Sequence, residues 1–212
     1  MLRVMRPLRT VVRAGLFVTL TTLTLGLAAS ARAVDQPDFR PAPFNQPPVA
    51  VSPRAGEKAP GFNLKTVDAG QPRTLDSFAK AKGMKGAVVI FLSCRCPYVA
   101  QARAPIAELF KKYGDKVAFV GLNSNQNEPV ADIKADAASS FGFPMLRDDG
   151  SKVADLYGAQ RTPEVFVVGP NGLIRYHGGV DDLGPALEQL VAGKAVTKFE
   201  SKAFGCTIKR KP

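Results

Sequence analysis

The chain has 212 residues, 45% of them hydrophobic and 22% charged, which supports one globular core and excludes a wholly disordered chain or several ordinary domains. The formal charge of +11 argues against a nucleic-acid surface once it is placed: without the five arginines of residues 1–33, 24 basic residues face 18 acidic ones. Six of those 24 lie between Val191 and Pro212, and no basic stripe with interleaved aromatics is present, so a solvated, mobile basic tail is expected.

The chain opens with Arg3, Arg6, Arg9 and Arg13 and no acid, followed by an apolar stretch from Gly15 to Ala29 and the small-residue pattern Ala31-Arg32-Ala33. This is the pattern of a secretory signal peptide, residues 1–33, cleaved after Ala33. A retained anchor would need ~20 apolar residues, so no stable membrane insertion is expected after cleavage. The destination would be an oxidising compartment, periplasmic or extracellular. Residues 34–55 are dense in proline and lack periodicity, and read as an extended linker.

A folded domain is expected over residues 56–192, ahead of a basic tail, 193–212. Phe62–Thr66 is a short strand candidate, and Thr74 is placed to cap a helix beginning at Leu75. Ala87–Leu92 is a continuous apolar run of the kind buried on both faces of a parallel sheet. A helix is predicted over Pro97–Tyr113, stopped by Gly114, then a strand over Val117–Leu122 and a helix over Pro129–Phe141. Phe143–Leu146 reads as a strand, Asp148-Asp149-Gly150 as a turn, and Lys152–Tyr157 as a short helix. Val165–Val168 and Leu173–Tyr176 flank the turn Gly169-Pro170-Asn171-Gly172 as a hairpin. Leu183–Ala192 is the last helix, with Asp181-Asp182 as its cap. Strands alternating with helices imply an α/β domain, a sheet covered by helices on both faces. The closing hairpin and helix narrow this to a thioredoxin-like plan with a central mixed sheet.

The chemistry concentrates at Ser93-Cys94-Arg95-Cys96-Pro97, between the buried strand and a helix. A cysteine in the first turn of a helix meets unpaired N–H groups and the positive end of the helix dipole. Both stabilise a thiolate, the reactive form of cysteine. Pro97 has no N–H to donate, which costs nothing at a first helical position. A second piece is Arg161-Thr162-Pro163, directly before a hairpin strand. Pro163 is a candidate for a cis peptide bond. In a thioredoxin-like plan this loop faces the cysteine. The Thr162 backbone would then pair with an extended thiol substrate, and Arg161 would hold a thiolate or a peroxide oxygen.

These motifs resemble the redoxin, or alkyl hydroperoxide reductase/thiol-specific antioxidant, branch of the thioredoxin superfamily. The resemblance runs from Gly56 to the C-terminus. It rests on Gly56-Glu57-Lys58-Ala59-Pro60-Gly61-Phe62, Cys96-Pro97-Tyr98-Val99, Arg161-Thr162-Pro163-Glu164-Val165-Phe166 and the tail motif Phe204-Gly205-Cys206-Thr207-Ile208-Lys209. It implies a peroxiredoxin-like thiol oxidoreductase with Cys96 as nucleophile, a disulfide or peroxide as substrate, an external dithiol as reductant, and no cofactor. The departures are specific. Val99 stands where thioredoxins place the resolving cysteine, and Ile90 where they keep a buried acid. Ser93 matches the hydroxyl of the peroxiredoxin pattern, but Val89 replaces its proline.

Two cysteines compete to resolve Cys96. Cys94 would close a very small, strained ring. Cys206 would have to arrive on a folded-back tail. A structural Cys94–Cys206 disulfide in a redox-inert scaffold is a third arrangement, and exported domains often staple their ends in this way. His177, the single histidine, is expected to be structural. Copper on Cys94, Cys96 and His177 is the remaining alternative, because soft thiolates and imidazole suit Cu(I). The Cys-x-Cys spacing is narrower than the Cys-x-x-x-Cys of thioredoxin-fold copper chaperones, so no metal site is assigned.

Overall fold

The six residues of Ala87–Leu92 are all buried, and the fold is arranged around them. In the computed structural model, which describes residues 51–211, the strands are β1 (Asn63–Thr66), β2 (Pro72–Thr74), β3 (Ala87–Leu92), β4 (Ala118–Asn123), β5 (Met145–Arg147), β6 (Arg161–Thr162), β7 (Glu164–Val168), β8 (Ile174–Gly178) and β9 (Cys206–Thr207). The helices are α1 (Leu75–Ala79), α2 (Pro97–Tyr113), α3 (Val130–Ser140), α4 (Lys152–Leu156) and α5 (Leu183–Val191). The signal-peptide pattern and the linker up to residue 50 lie outside the described residues. No helix among the described residues is long and apolar enough to cross a membrane.

The main sheet has the order β2-β1-β5-β4-β3-β7-β8. β3 runs parallel to β4 and antiparallel to β7, so the sheet is mixed and β3 is paired on both edges. Side chains alternate across a strand, and β3 feeds two cores. Val88, Ile90 and Leu92 join Val99 and Ile106 of α2, Ile133 of α3 and Leu183 and Leu187 of α5. Val89 and Phe91 join Leu75 and Phe78 of α1, and Val153 and Ala154 of α4. Each large apolar side chain fully buried in this way contributes about 1.5–3 kcal/mol. The second core is ordered by edge-on aromatic contacts, with Tyr157 and Phe166 centred 4.9 Å apart and Phe91 at 5.7 Å from Tyr157. The architecture is the thioredoxin-like sheet covered on both faces.

The local departures have local reasons. The strand expected over Phe143–Leu146 begins at Met145, because Pro144 has no N–H for the ladder and Phe143 packs among Phe110, Phe119 and Phe141. β2 was not anticipated: its three residues are exposed and show no alternation. Thr74 caps α1 through a reciprocal pair of bonds with Ser77. Asp182 occupies the N-cap of α5 but makes no capping bond, since Lys198 Nζ holds its carboxylate at 2.8 Å. The expectation of a solvated, mobile tail is corrected for the residues leading to and beyond Cys206. Ile208 is buried in the second core, and β9 pairs with β6.

Candidate active site

Cys96 is placed by the end of β3 and the start of α2. Its backbone is extended (φ −88°, ψ 121°), making it the N-cap of α2, with Pro97 as the first helical residue. The expectation put Cys96 inside the first turn; the cap position is one residue earlier and still presents its sulfur to the helix end. Cys96 is only 4% exposed. Its thiol donates to the Thr162 carbonyl at 3.1 Å, and its sulfur lies 2.6 Å from that of Cys206. Burial works to raise the Cys96 thiol. Bonds from the Cys206 thiol, the Val99 N–H, the Thr162 side chain and the Cys206 N–H outweigh it and hold the thiol below its ordinary pKa. Cys206 moves the other way, pushed up to about 11 by burial and then by Cys96 beside it.

The loop facing Cys96 is fixed from behind. The Thr162–Pro163 peptide is cis. Glu164, buried at the start of β7, accepts the N–H groups of Gln160 and Arg161 at 2.8 and 2.9 Å with one oxygen. Its other oxygen meets His177 Nε2 at 2.7 Å, and the His177 ring stacks on Phe166. Thr162 is thereby held at 1% exposure, with its side chain among the groups that lower the Cys96 thiol. Pro163 leads from it into β7.

The tail is built into this loop. β9 lies antiparallel on β6, with Thr162 opposite Cys206 and Arg161 opposite Thr207. Ile208 donates to Gln160 O at 2.9 Å, Lys209 N–H to Asn125 Oδ1 at 2.8 Å, and Gln126 N–H to Lys209 O at 2.7 Å. Arg210 reaches Asp155 and the Ala159 carbonyl. The cysteine of the tail is thus anchored on its C-terminal side by backbone bonds as well as by an apolar residue.

Three of the expected site residues turn elsewhere. The Ser93 hydroxyl donates to Glu128 and accepts from the Arg95 N–H at 3.2 Å, so its hydrogen bonds run away from the Cys96 sulfur. The Arg161 guanidinium donates to Gly205 O at 3.1 Å and pins the tail. Cys94 faces Glu128: its N–H donates to that carboxyl at 3.1 Å, and its thiol is pushed up to about 12, first by burial and then by Glu128. Cys206 meets Cys96, leaving no Cys94–Cys206 pair. Of the residues in the copper alternative, His177 gives its Nε2 to Glu164, and among the described residues no group of three His, Cys, Asp or Glu side chains gathers.

A family model described as the AhpC/TSA family matches residues 55–177. The chain belongs to the AhpC/TSA family. It is 29% identical over 127 residues to the thioredoxin-like protein YneN of Bacillus subtilis, covering 59% of this chain and 71% of that one. It is 27% identical over 128 residues to the thiol-disulfide oxidoreductase ResA of Halalkalibacterium halodurans, covering 59% and 69%. The crystal structure of a hypothetical protein, SMc02350, of Sinorhizobium meliloti superposes with a TM-score of 0.68 at 29% identity, covering 76% of this chain and 97% of that one.

Within the AhpC/TSA match lie Cys96, the cis loop and Glu164; Cys206 lies outside it, at the end of the chain. Chemically the arrangement pairs one thiol held low, at a helix end, with a second thiol already within bonding reach. Sequence reasoning missed Glu128, Glu164 and Asn125. Glu164 directly follows the Thr-Pro pair, and a buried acid at the first position of an otherwise apolar strand was the available signal. For Glu128 and Asn125 no local signal exists.

Proposed function

We propose that this AhpC/TSA protein is an exported thiol oxidoreductase in which Cys96 attacks a disulfide and Cys206 resolves the product. The observation that carries the reading is the 2.6 Å approach of the two sulfurs beneath the Thr162 carbonyl. The Cys96 thiolate attacks one sulfur of the substrate; the substrate S–S bond breaks, and the departing thiolate takes the electron pair and then a proton. Cys206, deprotonated, attacks the Cys96 sulfur, breaks the mixed disulfide and releases the second substrate thiol. The substrate gains two electrons and the Cys96–Cys206 pair loses them. An external dithiol restores the pair by the same exchange. Export rests on the signal pattern of residues 1–33.

Peroxide as substrate follows the same residues. The thiolate would attack oxygen and break the O–O bond, leaving a sulfenic acid that Cys206 condenses with, releasing water. The disulfide reading is favoured because the two groups a peroxide would use, the Ser93 hydroxyl and the Arg161 guanidinium, are engaged with Glu128 and Gly205.

The test is disulfide turnover with a dithiol donor in the mature protein and in Cys96→Ser and Cys206→Ser variants. Cys96→Ser should abolish turnover, and Cys206→Ser should accumulate a mixed disulfide on Cys96. A mixed disulfide found on Cys206 instead, or turnover surviving without Cys96, overturns the assignment. A protein inert to both disulfide and peroxide leaves the redox-inert scaffold in its place.

A further inference from the structure

Glu128 is 4% exposed and takes no part in the exchange described above. It lies between β4 and α3, behind the turn that carries Ser93 and Cys94. One oxygen accepts the Ser93 hydroxyl; the other accepts the Cys94 N–H at 3.1 Å and Asn123 Nδ2 at 2.6 Å. All three partners are donors, so the carboxyl works purely as an acceptor, clamped between the end of β4 and the active-site turn. It faces the one cysteine that sits beside Cys96 in sequence without meeting it.

We propose that Glu128 selects the resolving cysteine: by clamping the Ser93–Cys94 turn and setting an acidic group against Cys94, it keeps Cys94 a bystander, so that the second attack on Cys96 comes from Cys206. The inference rests on the reading that Cys96 attacks first and a second thiol resolves it.

At the moment of the second attack the two thiols compete, and only a thiolate reacts. Cys94 is held protonated by burial, then by the bond and charge of Glu128, then by Asp136 and Asp132. Its one neighbouring cation in sequence, Arg95, is turned to Asp132 at 2.8 Å. Cys206 is raised by burial, then by the bond and charge of Cys96, with Lys209 acting to lower it. Once Cys96 is bonded to substrate it carries no charge, and that contribution on Cys206 is gone. The acids facing Cys94 remain. The first step therefore frees Cys206 and leaves Cys94 as it was. In the second step Cys206 supplies the electron pair, the Cys96–Cys206 bond forms, and the substrate thiolate leaves.

The experiment uses the full mature chain, reduced and then treated with oxidised glutathione, quenched by alkylation and mapped after cleavage at arginine, which separates Cys94 from Cys96 at Arg95. Wild type should give a Cys96–Cys206 bridge with Cys94 alkylated. Glu128→Gln should divert a measurable share to a Cys94–Cys96 bridge and speed Cys94 alkylation on the order of tenfold, the effect of one pKa unit on the thiolate fraction. In a Cys94→Ser background, Glu128→Gln should close Cys96–Cys206 at the unaltered rate; a slowed closure there means that Glu128 acts only on structure and overturns the proposal. A wild-type bridge pattern in Glu128→Gln overturns it too. Should that variant fail to fold, Cys96→Ser decides: without the Cys96 charge, Cys206 must alkylate faster than Cys94, and the reverse order contradicts selection. If wild type forms no bridge to Cys96 at all, the proposed function falls, a result distinct from a bridge that Glu128 does not steer.

Discussion

Gly205 crosses the carbonyl of Thr162 so closely that a Cβ on Gly205 would overlap the Thr162 oxygen and press on Pro163 N at 3.2 Å. Both neighbours are backbone of the loop that Glu164 fixes, so neither yields as a flexible side chain does. The contact sets how near the tail can come, and the next residue, Cys206, meets Cys96 as a result.

Gly205→Ala is therefore predicted to lift β9 from β6 while leaving the domain folded, a local overpacking cost of about 1–3 kcal/mol. Hydrogen exchange should show the amides of β9 and of Ile208 losing protection, and Cys96–Cys206 closure should slow. Unchanged protection of the tail would show that the loop can retreat.

Thr162 is predicted to lower the Cys96 thiol through its hydroxyl, because the side chain is among the groups that hold that thiol down. Thr162→Val keeps the shape and removes the hydroxyl, and should raise the Cys96 pKa. The midpoint of Cys96 alkylation against pH should move upward, with the fold and the tail pairing unchanged. No movement would leave the Cys206 thiol and the N–H groups of Val99 and Cys206 as the stabilisers.

The thiols also predict how stability depends on pH. Cys94 is pushed up to about 12 by burial and then Glu128, and Cys206 to about 11 by burial and then Cys96. Each binds its proton more tightly folded than unfolded, so its contribution is whole below about pH 8.5 and is lost as pH rises toward the folded value. Tyr176, pushed up to about 12 chiefly by burial, adds to the loss from about pH 10. Cys96 has the opposite sign. Its folded pKa is lowered, so its contribution grows as pH rises through that value and is kept above about 8.5. With two raised thiols and two tyrosines raised by burial, Tyr157 and Tyr176, against one lowered thiol, urea midpoints of the reduced protein should fall above about pH 9. Cys94→Ala should flatten the fall, and an equally steep fall in that variant would contradict the assignment.

The half of this site that was legible in the sequence is the half made by local pattern. A six-residue apolar run, a cysteine and a proline opening a helix place Cys96; a Thr-Pro pair before a second apolar strand places the loop opposite. The rest depends on contacts between distant residues. Glu128 reaches Cys94 across 34 positions, and nothing near it in sequence marks it as buried. The tail read as solvated because it carries six basic residues against one glutamate. What seats it is backbone pairing with Gln160, Thr162 and Gln126, together with the Asn125 side chain, contacts between distant residues that no local pattern announces. Ser93 was read as serving the sulfur because it matches the peroxiredoxin hydroxyl position, and Arg161 because its loop faces the cysteine; in the structure they bond Glu128 and Gly205, far along the chain.

The central claim is that Cys96 is the activated thiol, and the most direct measurement is the rate of Cys96 alkylation against pH in the reduced mature protein, with Cys94→Ser and Cys206→Ser in parallel. The account predicts a midpoint below the ordinary thiol value of about 8.5 in the wild type and in Cys94→Ser. In Cys206→Ser the midpoint should rise, since the neighbouring thiol is among the groups that hold it down. A Cys96 that reacts no faster than a free thiol at neutral pH, or only on unfolding, would contradict the account.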